Sequence, residues 1–302
     1  MSLPSLPSAP LGDLRGSAAR WRRRHLLDRA MRWGLPLALL VVLFPLFDMI
    51  YWIAVRALPT FTWATLTTDQ VGLGGGLYAM IVGSFTLLAL ATGFAAAVGI
   101  AAGMYTAEYA PPSIARWARV AGNLLAGIPA IVLGYFGYYA LVLYTHWGYT
   151  TLAGGITLGV FMVPFVYRTA DLAFANVPSE QREAALAMGA RPGQYLVRVA
   201  LPIALPAILS GVFLAMAIGL GETAPLLYTA GWSSTPVAGL FQPTSFLTGA
   251  IWNFYDYPST EGSFQALAFQ AAFLLLILVI GLNVVVQAVA ERYRRRTRGM
   301  MA

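Results

Sequence analysis

Residues 199–229 run for about thirty positions with Glu222 as their sole charged side chain. As a helix rising 1.5 Å per residue, this stretch is ~45 Å long, whereas the hydrocarbon core of a bilayer is ~30 Å thick. It must therefore tilt, break or begin outside the membrane. Five further apolar runs meet the same ~20-residue criterion, at 33–57, 79–106, 117–144, 151–170 and 265–289. With 59% hydrophobic and 10% charged residues, the chain has the composition of a polytopic membrane protein. The expected fold class is all-α transmembrane, with six helices.

Several chemistries are excluded by what is missing. Cysteine is absent, which removes disulfides and thiolate metal sites. All nineteen basic residues are Arg. Without Lys the chain cannot supply the Walker A lysine of a P-loop ATPase or form a lysine Schiff base. Two histidines, His25 and His146, do not suggest a zincin-type site. No catalytic residue, metal or cofactor is assigned. The sequence pI of 9.8 invites a nucleic-acid reading, but the arginines cluster at the flanks of the apolar runs. That placement favours a topological signal over a nucleic-acid patch.

The arginines also orient the chain. Seven precede or open the first span and two (Arg116, Arg119) flank the third. Four (Arg168, Arg182, Arg191, Arg198) surround the 171–197 segment and five follow the last span, leaving Arg56 outside. Under the positive-inside rule, both termini and residues 171–197 face the cytoplasm. Residues 1–30 form an Arg-rich tail, Pro/Ser/Ala/Gly-rich at its start and expected to be disordered. Residues 31–302 form the membrane domain, with a core at about 76–290. Trp33 and Trp52 suit interfacial belts, and Asp48 is expected to snorkel or pack. Glycines such as Gly83, Gly93, Gly99, Gly103, Gly122, Gly127, Gly134 and Gly137 are expected to serve helix packing.

Within 171–197 a short helix is expected to begin after Pro178, with Glu180 complementing its dipole, and to stop at Gly189. Its Ala184, Ala185, Ala187 and Met188 make a face that can press into a partner's groove, and Glu183 gives the contact direction. A helix lying on lipid is the bland alternative, though its apolar face is short and built of Ala. Glu183-Ala184-Ala185, Gly189 and the Val199-Ala200-Leu201-Pro202 step resemble the EAA loop of bacterial ABC importer permeases. Gly221-Glu222-Thr223-Ala224-Pro225-Leu226-Leu227 resembles the signature of the PstA-type permeases of phosphate (Pst) importers, in the MetI-like ABC permease family. Gly75-Gly76-Leu77, Ala107-Glu108-Tyr109-Ala110 and Ala126-Gly127-Ile128-Pro129-Ala130-Ile131-Val132 extend the likeness over roughly residues 58–290.

Pro225 lacks an N–H, so the Gly221 carbonyl four residues earlier should lose its helical partner. Backbone freed at membrane depth is tolerated only beside protein or a water-filled cavity. An ionisable group there is a functional-site hypothesis by default, set against a Glu that merely bonds neighbouring helices. Gly221, Glu222, Thr223 and Pro225 are the candidate substrate pathway. Glu222 would either hold an Arg in place or accept a hydrogen bond from a protonated phosphate oxygen, which fully ionised sulfate cannot donate. Many PstA-type permeases carry an Arg four residues before this Glu; this chain has Ile218.

The resemblance implies a six-helix MetI-like permease subunit in a bacterial inner membrane that moves inorganic phosphate inward. It also implies two ATP-binding ABC subunits docked on Glu183, Ala184, Ala185 and Gly189, a second, PstC-like permease subunit and an extracytoplasmic phosphate-binding protein, with no nucleic acid. Membrane lipid surrounds the assembly. Alternatives are a permease for another oxyanion (phosphonate, sulfate or molybdate) and a stand-alone secondary carrier, which often shows inverted repeats not visible here. A membrane enzyme is weakest, because the interior offers only Glu222 and Asp48.

Overall fold

Apolar chain in hydrocarbon must satisfy every backbone polar group internally, and the sequence does so almost wholly with helices. A computed structural model describes residues 12–71, 74–255 and 263–299. Residues up to Val55 form one unit and those from Arg56 a second. The first unit is the bulk of α1 (Gly12–Ala57), apolar all round from Met31 onward. It is already helical at Gly12, where a disordered tail had been expected through residue 30. Ala, Leu and Arg fill that stretch, and all three are strong helix formers. The first eleven residues of the expected tail lie outside the described residues.

The second unit opens with α2 (Trp63–Thr67) and a small antiparallel pairing, β1 (Gln70–Val71) with β2 (Gly74–Gly75). Three helices then form its centre: α3 (Tyr78–Glu108), α6 (Thr151–Ala175) and α9 (Leu201–Leu220). Side chains of α6 meet α3 in parallel register, Ala170 lying beside Gly103 and Val166 beside Gly99. On its other side α6 meets α9 in reverse order, Thr169 at Gly211 and Met162 at Gly219. Leu158, Met162, Val166 and Ala215 are buried where the three pack. The packing role expected of the glycines therefore holds for Gly99 and Gly103. It fails for Gly93, which has no neighbour within 4 Å.

Among the described residues five helices are long and apolar enough to cross a membrane, and a bent pair can supply a sixth crossing. The expected continuous span at 117–144 is two helices, α4 (Pro112–Ala126) and α5 (Ala130–Gly137), the latter continued by a π-helical turn to Tyr144. They meet at 94°. Pro129 supplies no N–H and disfavours helical geometry at Ile128, and Gly127 adds freedom, so the helix cannot run through. The amphipathic α4 suits the membrane surface. At ~22 Å, α5 with its π turn is shorter than the hydrocarbon core, and the bent pair as a whole returns the chain from the end of α3 to the start of α6, as their parallel register requires.

Residues 179–187 form α7 (Ser179–Ala187), followed by α8 (Pro192–Tyr195) and a π turn running directly into α9. After α9 come α10 (Ala224–Leu227), α11 (Leu247–Tyr255) and α12 (Ser263–Gly299). Helix α11 falls between the apolar runs at 199–229 and 265–289, where no helix is expected from hydropathy. It is buried at Leu247, Ala250 and Phe254 against α12. Gln270 of α12 donates to the Thr60 carbonyl (2.9 Å) and hydroxyl (2.8 Å), fastening α12 to the segment before α2.

A Cβ at Gly103 would lie 2.7 Å from the Ala170 Cβ and 2.7 Å from the Asp171 amide nitrogen. Gly103→Leu should therefore push α3 off α6 at a cost of roughly 1–3 kcal/mol, read as a lower melting temperature of the purified protein. Gly93→Leu meets open space and should melt like the unmodified chain. Equal melting of the two variants would contradict this packing.

Candidate functional site

The residues singled out from the sequence fall into two groups at opposite ends of one helical run. From Pro192 to Leu220 the chain is helical without interruption, 29 residues spanning roughly 40 Å. The Glu183–Gly189 group precedes it, and the Gly221–Pro225 group follows it.

At the first end, α7 starts after Pro178, with Glu180 in its first turn. Its stop is a Schellman motif: Gly189 N–H donates to the Leu186 carbonyl (2.9 Å) and Ala190 N–H to the Ala185 carbonyl (3.1 Å). Gly189 takes φ +81°, which side chains other than Gly and Asn seldom adopt. Glu183, Ala184 and Gly189 are exposed, as is Met188, while Ala185 packs inward against the cluster of Tyr195, Leu196 and Ala200. Thus Ala185 belongs partly to the core, and the outward surface is Glu183, Ala184, Ala187 and Met188.

A contact invisible in the sequence ties α7 to the centre. The Glu108 carboxylate at the end of α3 pairs with Arg182 of α7 (3.6 Å) and accepts a hydrogen bond from the Tyr195 hydroxyl of α8 (3.4 Å). Arg182 also lies over the Tyr195 ring, 5.9 Å from its centroid. The Glu108 side chain is 9% exposed, so this ion pair is poorly screened by solvent on its carboxylate side. Nearby, Arg119 of α4 grips Asp171 of α6 with two bonds, Nε to Oδ2 at 2.8 Å and Nη2 to Oδ1 at 3.0 Å. The Ala107-Glu108-Tyr109 segment was the available signal for the first contact; nothing local pointed to the second.

At the other end the break falls earlier than Pro225 alone implied. α9 ends at Leu220, and two tight turns follow, from Gly221 N–H to the Ile218 carbonyl (3.1 Å) and from Glu222 N–H to the Gly219 carbonyl (3.2 Å). Pro225 stands in the first turn of α10, where its missing N–H costs no helical bond. The Thr223 carbonyl accepts from Leu226 and Leu227 N–H. The carbonyl secured from outside is that of Glu222, which takes the Thr248 hydroxyl of α11 at 2.9 Å. Close backbone approach completes the frame: a Cβ at Gly134 of α5 would sit 2.7 Å from the Ala224 carbonyl oxygen.

Gly221 is exposed, Glu222 and Thr223 are half-buried, and Pro225 is buried. Among the described residues the Glu222 carboxylate has no ion-pair or hydrogen-bond partner. Its backbone, not its side chain, does the anchoring. Ile218, one turn back, is half-buried and offers no charge. The arrangement presents a carboxylate at a helix break whose main chain is held by two other elements, α11 and α5. Such a group can accept a proton-bearing oxygen or receive a cation from another subunit.

Comparison with known proteins bears on the family and the fold. Residues 99–299 match the family described as binding-protein-dependent transport system inner membrane component. The phosphate transport system permease protein PstA 2 of Mycobacterium bovis is 39% identical over 277 residues, covering 91% of each chain. The phosphate transport system permease protein PstA of Yersinia pestis is 32% identical, covering 93% of this chain and 95% of its own. In fold, a chain of the methionine ABC transporter MetNI in an inward-facing conformation superposes with a TM-score of 0.54 at 20% identity, over 70% of this chain and 97% of its own.

Proposed function

The chain belongs to the family of binding-protein-dependent transport system inner membrane components, and from that premise we propose how it works as the transmembrane subunit of an ABC importer for inorganic phosphate. It is a multi-pass membrane protein and a transport subunit rather than an enzyme, with ATP hydrolysed on separate ATP-binding subunits and substrate delivered by a binding protein. In the fuller assembly we infer two ATP-binding subunits and a second, PstC-like permease chain, in a bacterial inner membrane with both termini cytoplasmic. The arginine distribution supports that orientation.

Two roles follow. The exposed face of α7, with Glu183 and Ala184, docks on an ATP-binding subunit; Ala185 and the Schellman turn at Gly189 hold that face to the membrane domain. The Glu108–Arg182 and Glu108–Tyr195 contacts, with the unbroken helix from Pro192, carry the movement inward, since displacement travels through packed elements. Gly221, Glu222 and Thr223 line the anion path, and the buried Pro225 sets the turn behind them. The observation that carries this second role is an unpaired carboxylate at a helix break, inside the GETAPLL segment. Glu222 accepts a hydrogen bond from a protonated phosphate oxygen, and so disfavours sulfate.

Valine at Gly189 would be strained by roughly 1–2 kcal/mol in the left-handed region, and asparagine far less. In the reconstituted complex, Gly189→Val should lower the ATPase response to substrate-loaded binding protein by ~5–30-fold, while Gly189→Asn keeps most of it. Full stimulation in Gly189→Val would remove α7 from coupling.

Glu222→Gln keeps the shape and removes the charge. Because hydrogen bonds to charged groups are worth ~1.5–3 kcal/mol, uptake should fall by about tenfold or more, and the preference for phosphate over sulfate should weaken with it. Unaltered rate and selectivity in uptake assays of Glu222→Gln would take this residue out of the path.

A further inference from the structure

Between α4 and α6, at the end of the domain that carries α7, lies a cavity of about 280 Å³. Ligand pockets begin at roughly 300 Å³, so this space suits a small polar group rather than a large solute. Its polar lining consists of Arg119, Asn123, Tyr167, Arg168 and Asp171. Arg119 and Asp171 neutralise one another through their two-bond clamp. The Tyr167 hydroxyl is engaged with Thr106 at 3.4 Å. Arg168 is exposed and has no ion-pair or hydrogen-bond partner among the described residues. The cavity therefore carries one net positive charge, and Arg168 bears it.

The walls are fixed. A Cβ at Gly122 would lie 2.6 Å from the Tyr167 ring, so α4 already sits as close to α6 as it can, and the Arg119–Asp171 clamp pins the same two helices. Arg168 stands near the end of α6 and is exposed, so its guanidinium can snorkel to the headgroup level, where phosphates supply a counter-charge. Its fork of N–H donors matches phosphate oxygens better than a halide or a single carbonyl. Basic pockets between membrane helices bind anionic headgroups for this reason. Leu172, half exposed at the rim, offers an apolar neighbour to an acyl chain.

We propose that this cavity holds a phosphate-bearing anion against the Arg168 guanidinium, supplied either by an anionic phospholipid headgroup or by free inorganic phosphate. The site is separate from Glu222 and does not depend on which solute is transported. The test uses the whole transporter complex in mild detergent, its thermal unfolding followed while phosphatidylglycerol, phosphatidylcholine, inorganic phosphate or sulfate is titrated in. Phosphatidylglycerol or phosphate should raise the melting temperature. Arg168→Gln should raise the concentration for half the shift by about tenfold or more, and Arg168→Lys should restore part of the response. A response to phosphatidylglycerol alone identifies the headgroup; a response to phosphate alone identifies the free ion. Arg168 is exposed, so both variants are expected to fold, and their unfolding without ligand checks this directly. No shift in the unmodified complex, or equal shifts in it and in Arg168→Gln, would overturn the proposal.

Discussion

A backbone carbonyl left bare in hydrocarbon costs several kcal/mol, and the bond from the Thr248 hydroxyl to the Glu222 carbonyl is what lets the chain leave its helix after Leu220. That bond needs α11 in place. The Ser84 hydroxyl of α3 accepts from the Leu247 N–H at 2.8 Å, which sets the start of α11 against the central helices. It also needs room, and Gly134 provides it by letting α5 lie against Ala224 and Pro225. The carboxylate of Glu222 is then placed by its own main chain, with its side chain left for chemistry.

The same economy governs the other end. α7 has no buried side chain, so it owes its position to its turn at Gly189, to Ala185 and to the contacts Arg182 makes. Arg182 and the Tyr195 hydroxyl of α8 converge on one carboxylate, Glu108, at the tip of α3. In the proposed mechanism a push on α7 therefore reaches α3 through Glu108 and the Glu222 break through the helix that begins at Pro192. α6 lies between α3 and α9, with glycine contacts on both sides, and resists independent motion of either. The two distant groups proposed for coupling and for the anion path are joined in this way by the helical run from Pro192 to Leu220.

Features set by local chemistry were legible in the sequence. Four of the span positions came within a few residues, because a long apolar run has few alternatives in lipid, whereas the run expected at 199–229 is helical from Pro192 to Leu220. The stop of α7 at Gly189 followed from a residue that favours a particular backbone angle, while the break expected at Pro225 falls earlier, after Leu220. Three things were misread or missed for physical reasons. The third span looked continuous because hydropathy outweighed Gly127-Ile128-Pro129, which in fact turns the chain by 94°. α11 was hidden because nine residues are too few to register as a span. The Arg119–Asp171 and Tyr195–Glu108 contacts join residues 52 and 87 positions apart, a separation at which no local pattern reports pairing.

Transport of phosphate under ATPase control is measured most directly in proteoliposomes holding this chain with its ATP-binding subunits and the second permease proposed for it. ATP is trapped inside, and binding protein is added outside. Labelled phosphate should accumulate only when both ATP and binding protein are present, and excess sulfate should leave the rate unchanged. Uptake that proceeds without ATP, or that sulfate suppresses as well as phosphate does, would contradict a phosphate importer built around Glu222.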